Sequence, residues 1–216
     1  MSLLNQDPLT LALLLGALAL LPVAITMTTS YLKISVVLML ARNAIGVQQA
    51  PPAMALNGIA LAITLFVMTP TFNACVTAYH NNASNDQPLQ IQSLTRALDP
   101  LREFMIQNGR ADQRRVLLQT TQQTWSGGSA ATVTERDWAI VVPSFVMSEL
   151  QSAFEIGFLI YIPFIVIDLL VSNILLALGM QMVSPIMLSL PLKILLFVAT
   201  NGWTQLLQGL MLSYRA

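Results

Sequence analysis

Apolar positions in this chain fall into long runs rather than into short periodic stripes. Pro8 to Met27 is one such run, and its apolar character continues past Lys33 to Ile45. Ala53 to Phe72 is a second, with no charged residue. Trp138 to Leu178 is apolar for 41 residues, and Leu192 to Leu212 closes the series. Crossing a hydrocarbon layer takes about 20 apolar residues at about 1.5 Å each. The pattern therefore predicts an all-α integral membrane protein with about four hydrophobic helical units. As one straight helix, 138–178 would be about 60 Å long, twice the hydrocarbon thickness. It has to bend, double back or project beyond the bilayer, with Pro143, Gly157 and Pro163 as break points. Gly46 and Pro51-Pro52 mark the turn between the first two units.

Residues 80–137 differ in kind. They hold Arg96, Arg102, Arg110, Arg114, Arg115 and Arg136 against Asp86, Asp99, Glu103, Asp112, Glu135 and Asp137. Leu94, Leu98, Leu101 and Met105 recur at helical spacing. The expectation is a small, neutral, helical insertion: helix through most of 88–108, with Asp99-Pro100 able to cap a new start, a second helix over 111–124, and a break at 126–129. Thr134-Glu135-Arg136-Asp137 resembles a capped entry to the next helix. The chain thus divides into an N-terminal hydrophobic part (1–79), the polar insertion (80–137) and a C-terminal hydrophobic part (138–216).

Composition sharpens this picture. Charged residues make up only 9% of 216, against about 25% in soluble domains. The net charge is zero, so no basic face speaks for nucleic acid. The single Cys75 and single His80 exclude a disulfide framework and a histidine-clustered metal site, and read as an apolar filler and a loop residue. No cofactor motif is present; Ser126-Gly127-Gly128-Ser129 lacks the Gly-Lys-Ser/Thr of a phosphate loop. No Lys or Arg precedes Lys33, so the first run reads as a retained helix and not a signal peptide. Arg42 in the first turn favours the cytoplasmic side there, which puts the insertion and both termini outside, although Arg215 argues mildly against this.

Six charges interrupt the apolar runs or their edges: Lys33, Arg42, Glu149, Glu155, Asp168 and Lys193. Each costs about 2.5–3.5 kcal/mol at a bilayer centre, so they must be paired, face water or lie outside lipid. Asp168, deep in its run, is the strongest candidate for a buried pair. A lone subunit with four hydrophobic units offers little interior, which predicts that opposite charges meet across a subunit boundary, with Asp168 or Glu149 as acid and Lys33 or Lys193 as base. The stretch from Leu178 to Met187 gathers Met180, Met182 and Met187 around Gly179 and Pro185. Such flexible thioethers could close around objects of varied shape, although on spacing alone ordinary lipid-facing or core packing is the commoner role of such methionines. On an extended loop Met180 and Met182 would face one side, with Gln181 opposite; on a helix they would diverge by about 200°, and only one of them could line a pore.

The order of motifs resembles a known family. The first half reads Leu21-Pro22, Thr29 to Ile34, Val36-Val37-Leu38, Arg42 to Gln49 and Ala60 to Pro70. The second reads Ser148-Glu149-Leu150, Ala153 to Phe158, Pro163 to Leu169, Leu178 to Met182, Leu190 to Lys193 and Asn201-Gly202-Trp203. In this order they resemble the R-type (SctR/FliP) core export-apparatus proteins of bacterial type III secretion systems, over nearly the whole chain except 80–137. Asn43, where flagellar members usually have threonine, resembles the injectisome branch. Gln181 interrupts a methionine run that is commonly unbroken, and Asn201 stands where the family usually has aspartate.

The resemblance implies a multi-pass protein of the bacterial inner membrane that is not an enzyme and has no cofactor. It implies a homo-oligomer, a ring of five copies, completed by S-type and T-type subunits into the entry gate for unfolded secreted polypeptides. It implies that much of the assembly is lifted out of the lipid plane and that Met180, Met182 and Met187 line a constriction. Two other functions compete. A small-solute or ion transporter with intramembrane charge pairs should show internal repeats, and none is evident between 8–72 and 138–212. A membrane protease would need a helical histidine or two membrane aspartates, whereas His80 stands beside Asn81-Asn82 and only Asp168 qualifies.

Overall fold

A computed structural model describes residues 8–47, 50–83, 95–125, 133–180 and 182–214, and it contains helices and no strand among them. In chain order the helices are α1 (Pro8–Thr28), α2 (Tyr31–Ile45), α3 (Ala53–Ala83), α4 (Asp99–Asn108), α5 (Ala111–Thr124), α6 (Trp138–Ala177), α7 (Pro185–Ala199) and α8 (Gly202–Leu212). Two helices, α3 and α6, are long and apolar enough to cross a membrane, and up to four spans result if each bent pair, α1–α2 and α7–α8, counts as one. The expected all-α membrane architecture is present.

The long run through 138–178 does not break. α6 is continuous for 40 residues through Pro143, Gly157 and Pro163, so of the three alternatives the chain does not double back there. Each proline removes one backbone hydrogen bond. In apolar surroundings a wider break would strand many more polar groups. At about 60 Å the helix must project beyond a hydrocarbon layer.

The break comes instead in the first run, where sequence reading placed none. α1 and α2 meet at 72° around Thr29 and Ser30. Thr26, Thr28 and Thr29 turn their hydroxyls back onto the carbonyls of Pro22, Ala24 and Ile25. Such back-bonding bends helices. α7 and α8 meet at 58°, where Asn201 takes the left-handed conformation at φ 50°. α2 ends at Gly46, whose φ of 88° closes the helix by an N–H bond to the Asn43 carbonyl.

α2 is the hub of the fold, packing against both α3 and α6. Ile34, Val37, Leu38, Ala41, Ala44 and Ile45 form its buried face, and the spacing is that of one helical stripe. Its core continues through Leu56, Ala60, Met68, Val141, Phe145 and Leu210. Phe104 and Met105 of the polar insertion belong to the same core. The insertion is therefore fastened into the hydrophobic body, with α4 against α3 and α6, and α5 against α6.

Local expectations for the insertion hold in part. α4 and α5 form as read, preceded by a helical turn at 95–97. Residues 88–94 and the expected break at 126–129 lie outside the described residues. Asp99 is not a cap: Leu98 holds that position, and the Asp99 carboxylate accepts from Arg102. Arg114 closes the end of α4 by donating to the carbonyls of Ile106 and Gly109 at 3.0 and 3.1 Å. At the α6 entry Asp137 faces backwards, accepting from the Thr134 N–H at 2.6 Å. His80 lies in the last turns of α3, which runs past residue 79 to Ala83, and so is helical and not a loop residue.

Candidate functional site

Along α6, Val141, Phe145, Glu149 and Ala153 follow one another at intervals of four and are all buried. Residues so spaced lie on one face, so Glu149 places a carboxylate in an apolar stripe. A buried charge needs a partner. α2 supplies it from Lys33, two residues past its start: Lys33 Nζ lies 3.2 Å from Glu149 Oε1, with the two side chains 6% and 1% exposed.

Tyr214, in the turn after α8, completes the site. Its hydroxyl donates to Glu149 Oε2 and its oxygen lies 3.3 Å from the Ser30 carbonyl at the α1–α2 bend. Its ring takes the Lys33 ammonium on one face, 3.7 Å from the centroid, and stacks with Phe104 of α4 at 6.0 Å. One residue thus touches the bend, α2, α6 and the insertion. Sequence reading missed it, because it is separated from its partners by 65 and 184 positions and stands beyond the last apolar run.

A second pair joins α6 to α7: Lys193 Nζ donates to Asp168 Oδ2 at 2.6 Å. Lys193 is 9% exposed and Asp168 43%. Asp168 was the expected buried acid; the buried acid is Glu149. Much of this half of α6 stays open: Phe158, Leu159, Leu169, Leu170 and Ile174 are each more than half exposed.

Glu155 pairs with Arg110 of the insertion and accepts from Gln151 at 3.0 Å; Gln113 in turn donates to Gln151 at 2.9 Å. This polar seam fastens α5 to the middle of α6. Five of the six charges are thus satisfied inside the chain. That corrects the argument that a lone subunit lacks the interior for them: Lys33 with Glu149 and Lys193 with Asp168, the named candidates for pairing across a boundary, pair within it. Arg42 stands apart, with a 3.4 Å contact from Nη1 to the Pro51 carbonyl.

The methionine stretch follows the end of α6. Met180 N–H bonds to the Leu175 carbonyl and Gly179 N–H to that of Leu176, the paired bonds of a Schellman stop, with Gly179 at φ 71°. The Val183 N–H then reaches back to the Met180 carbonyl at 3.4 Å, and Pro185 opens α7. The backbone turns here, which replaces the extended strand that alternation of Met180 and Met182 required; Gln181 lies outside the described residues. Met180, Met182 and Met187 are 45%, 100% and 76% exposed. Among the described residues no cluster of His, Cys, Asp and Glu could hold a metal ion.

Comparison with known proteins agrees along nearly the whole chain. The model of the FliP family matches residues 14–210. The harpin secretion protein HrcR of Erwinia amylovora is 54% identical over 211 residues, covering 96% of this chain and 97% of that protein. The Yop proteins translocation protein R of Yersinia pestis is 45% identical, covering 96% and 97%. The virulence protein YscR of Salmonella typhimurium is 41% identical, covering 98% and 99%. With the family model reaching from α1 to α8 across the insertion and α6, this chain belongs to the FliP family.

Proposed function

We propose that this chain is a subunit of the membrane export gate of a bacterial type III protein secretion system, of the injectisome branch. Further copies, a ring of five, join S-type and T-type subunits in the inner membrane to form the entry channel for unfolded secreted polypeptides. Met180, Met182 and Met187 line its constriction. The chain is a structural component of that gate.

Similarity over 96% of the chain to proteins named for secretion and translocation carries this reading. It favours export over the transporter alternative. The geometry supports it further. With five of six charges satisfied internally, what the subunit leaves uncovered is apolar: α1 and the second half of α6. Such faces require lipid or neighbouring subunits.

Two measurements test it. Deleting the coding sequence should abolish release of the source bacterium's secreted effectors, and expression of this chain should restore it. Gentle detergent extraction followed by mass measurement should give a stable multi-copy ring. Secretion unaffected by the deletion would refute the export reading, and a monomer or dimer would refute the ring.

A further inference from the structure

The turn between α6 and α7 gathers three thioethers, Met180, Met182 and Met187, within eight residues. Met182 and Met187 are 100% and 76% exposed, whereas Met68 and Met105 in the core are 0% and 1% exposed. At Gly179 an added Cβ would meet no atom within 4 Å, so the start of the turn stands clear of the rest of the described chain. A thioether sulfur keeps lone pairs that accept an oxygen atom, and an oxidant must reach it to react. The chain therefore presents its core methionines and its turn methionines to an oxidant very unequally.

We propose that Met182 and Met187 are oxidative modification sites, converted to sulfoxides by peroxide, and that the conversion makes the closed constriction leak ions. The O–O bond of hydrogen peroxide breaks. One oxygen bonds to the methionine Sδ, which gives up two electrons, and the other leaves as water. A sulfoxide is polar where the thioether was apolar. A hydrophobic constriction closes by excluding water, so a sulfoxide in it holds water where none was held before. A ring multiplies the effect, because every copy contributes the same two sulfurs. Methionine sulfoxide reductases restore the thioether, which makes the change reversible. The leak rests on the constriction proposed above; the reactivity of the two sulfurs does not.

The test uses cells carrying the assembled gate, with the half-buried free thiol removed by Cys75→Ala, and hydrogen peroxide as the probe. Peptide mass mapping should find the added oxygen at Met182 and Met187 at least about tenfold sooner than at Met68 and Met105, in keeping with access. Ion conductance should rise under peroxide to the level of untreated Met182→Ala. Met182→Leu/Met187→Leu keeps apolar bulk without an oxidisable sulfur, and its conductance should not rise under peroxide, whatever its untreated level. Met54→Leu removes a methionine that is 85% exposed outside the turn and should respond as the parent does. Met182→Gln, polar without any oxidant, should leak untreated. Sulfoxide forming no faster at Met182 than at Met105 overturns the proposal. So does an equal rise in Met182→Leu/Met187→Leu, which assigns the leak to another residue. Unchanged conductance in a parent gate whose Met182 carries the oxygen also overturns it. In that case a leaking Met182→Ala leaves the constriction standing, and a tight one removes the constriction too.

Discussion

Lys33 and Glu149, 116 positions apart in sequence, form an ion pair 3.2 Å long in a core from which water is almost fully excluded. The pair joins α2 to α6, the two helices that organise the fold, and Tyr214 covers it from the side. Both charges are removed from lipid as well as from water. The penalty that sequence reading assigned to charges at membrane level is therefore met before any neighbour binds.

Removing one partner leaves the other buried and uncompensated, which costs about 3–5 kcal/mol. Glu149→Gln should lower the melting temperature in detergent sharply, and Lys33→Met should do the same. The double variant Lys33→Met/Glu149→Leu should recover more than half of the loss, because apolar replacement of a whole buried pair is often neutral. Asp168→Asn provides the contrast. Asp168 is 43% exposed, and a pair so open to its surroundings contributes about 1 kcal/mol or less in aqueous detergent. Equal losses for Glu149→Gln and Asp168→Asn would contradict the difference in burial.

Tyr214 makes a separable prediction. Tyr214→Phe keeps the ring on Phe104 and under Lys33 but removes the donor to Glu149. A hydrogen bond to a charged group contributes about 1.5–3 kcal/mol. Tyr214→Ala also removes the ring and opens a cavity, for a loss of about 3–5 kcal/mol. Chemical denaturation of both variants should show this ordering. A silent Tyr214→Phe would mean that the ring alone anchors the segment after α8.

Gly157 sets how closely α2 approaches α6. A Cβ at this position would overlap the Leu40 methyl group and lie 3.2 Å from Leu40 Cβ. Alanine is ordinarily favoured over glycine in a helix by about 1 kcal/mol. Here overpacking, about 1–3 kcal/mol, outweighs it, so Gly157→Ala should destabilise. Adding Leu40→Ala should make the Gly157→Ala change favourable, which a double-mutant cycle measures directly. A cycle with no coupling would show that the two helices adjust without strain.

The sequence displayed its apolar runs plainly, because a membrane helix depends on the uninterrupted length of its own segment. The same is true of α5 and of the turn at Gly46, where local residues set the backbone. What stayed hidden depends on contacts between distant segments or on competing local bonds. The α1–α2 bend arises from Thr26, Thr28 and Thr29 hydroxyls, whose choice of acceptor leaves no mark in apolar spacing. The continuity of α6 arises from its surroundings, which make breaks costlier than the bonds lost at Pro143 and Pro163. Pairing was least legible. Glu155 found its base in Arg110, a residue that composition assigned to the polar insertion, and Tyr214 entered the charged site from beyond the last helix.

The methionine stretch yields the last prediction. Met182 and Met187 are 100% and 76% exposed, so the described residues of their own chain scarcely hold them, and truncating them removes little internal packing. Met180 is 45% exposed, and its N–H closes the end of α6; that backbone bond survives substitution by alanine. If the three side chains close a pore in the assembled ring, Met182→Ala and Met187→Ala should raise ion conductance across the membrane while assembly and melting temperature stay at the parent's values. Met180→Ala should leak less, because part of its side chain already lies against its own subunit. Gly179→Ala should behave differently from all three. Its φ of 71° is a left-handed conformation that costs a side chain about 1–2 kcal/mol, so it should lower stability and shift the whole loop. Conductance measured in intact cells, alongside ring recovery in detergent, separates these cases. Assembled Met182→Ala and Met187→Ala rings as tight as the parent would assign the exposed methionines to contacts with neighbouring subunits and remove them from the pore.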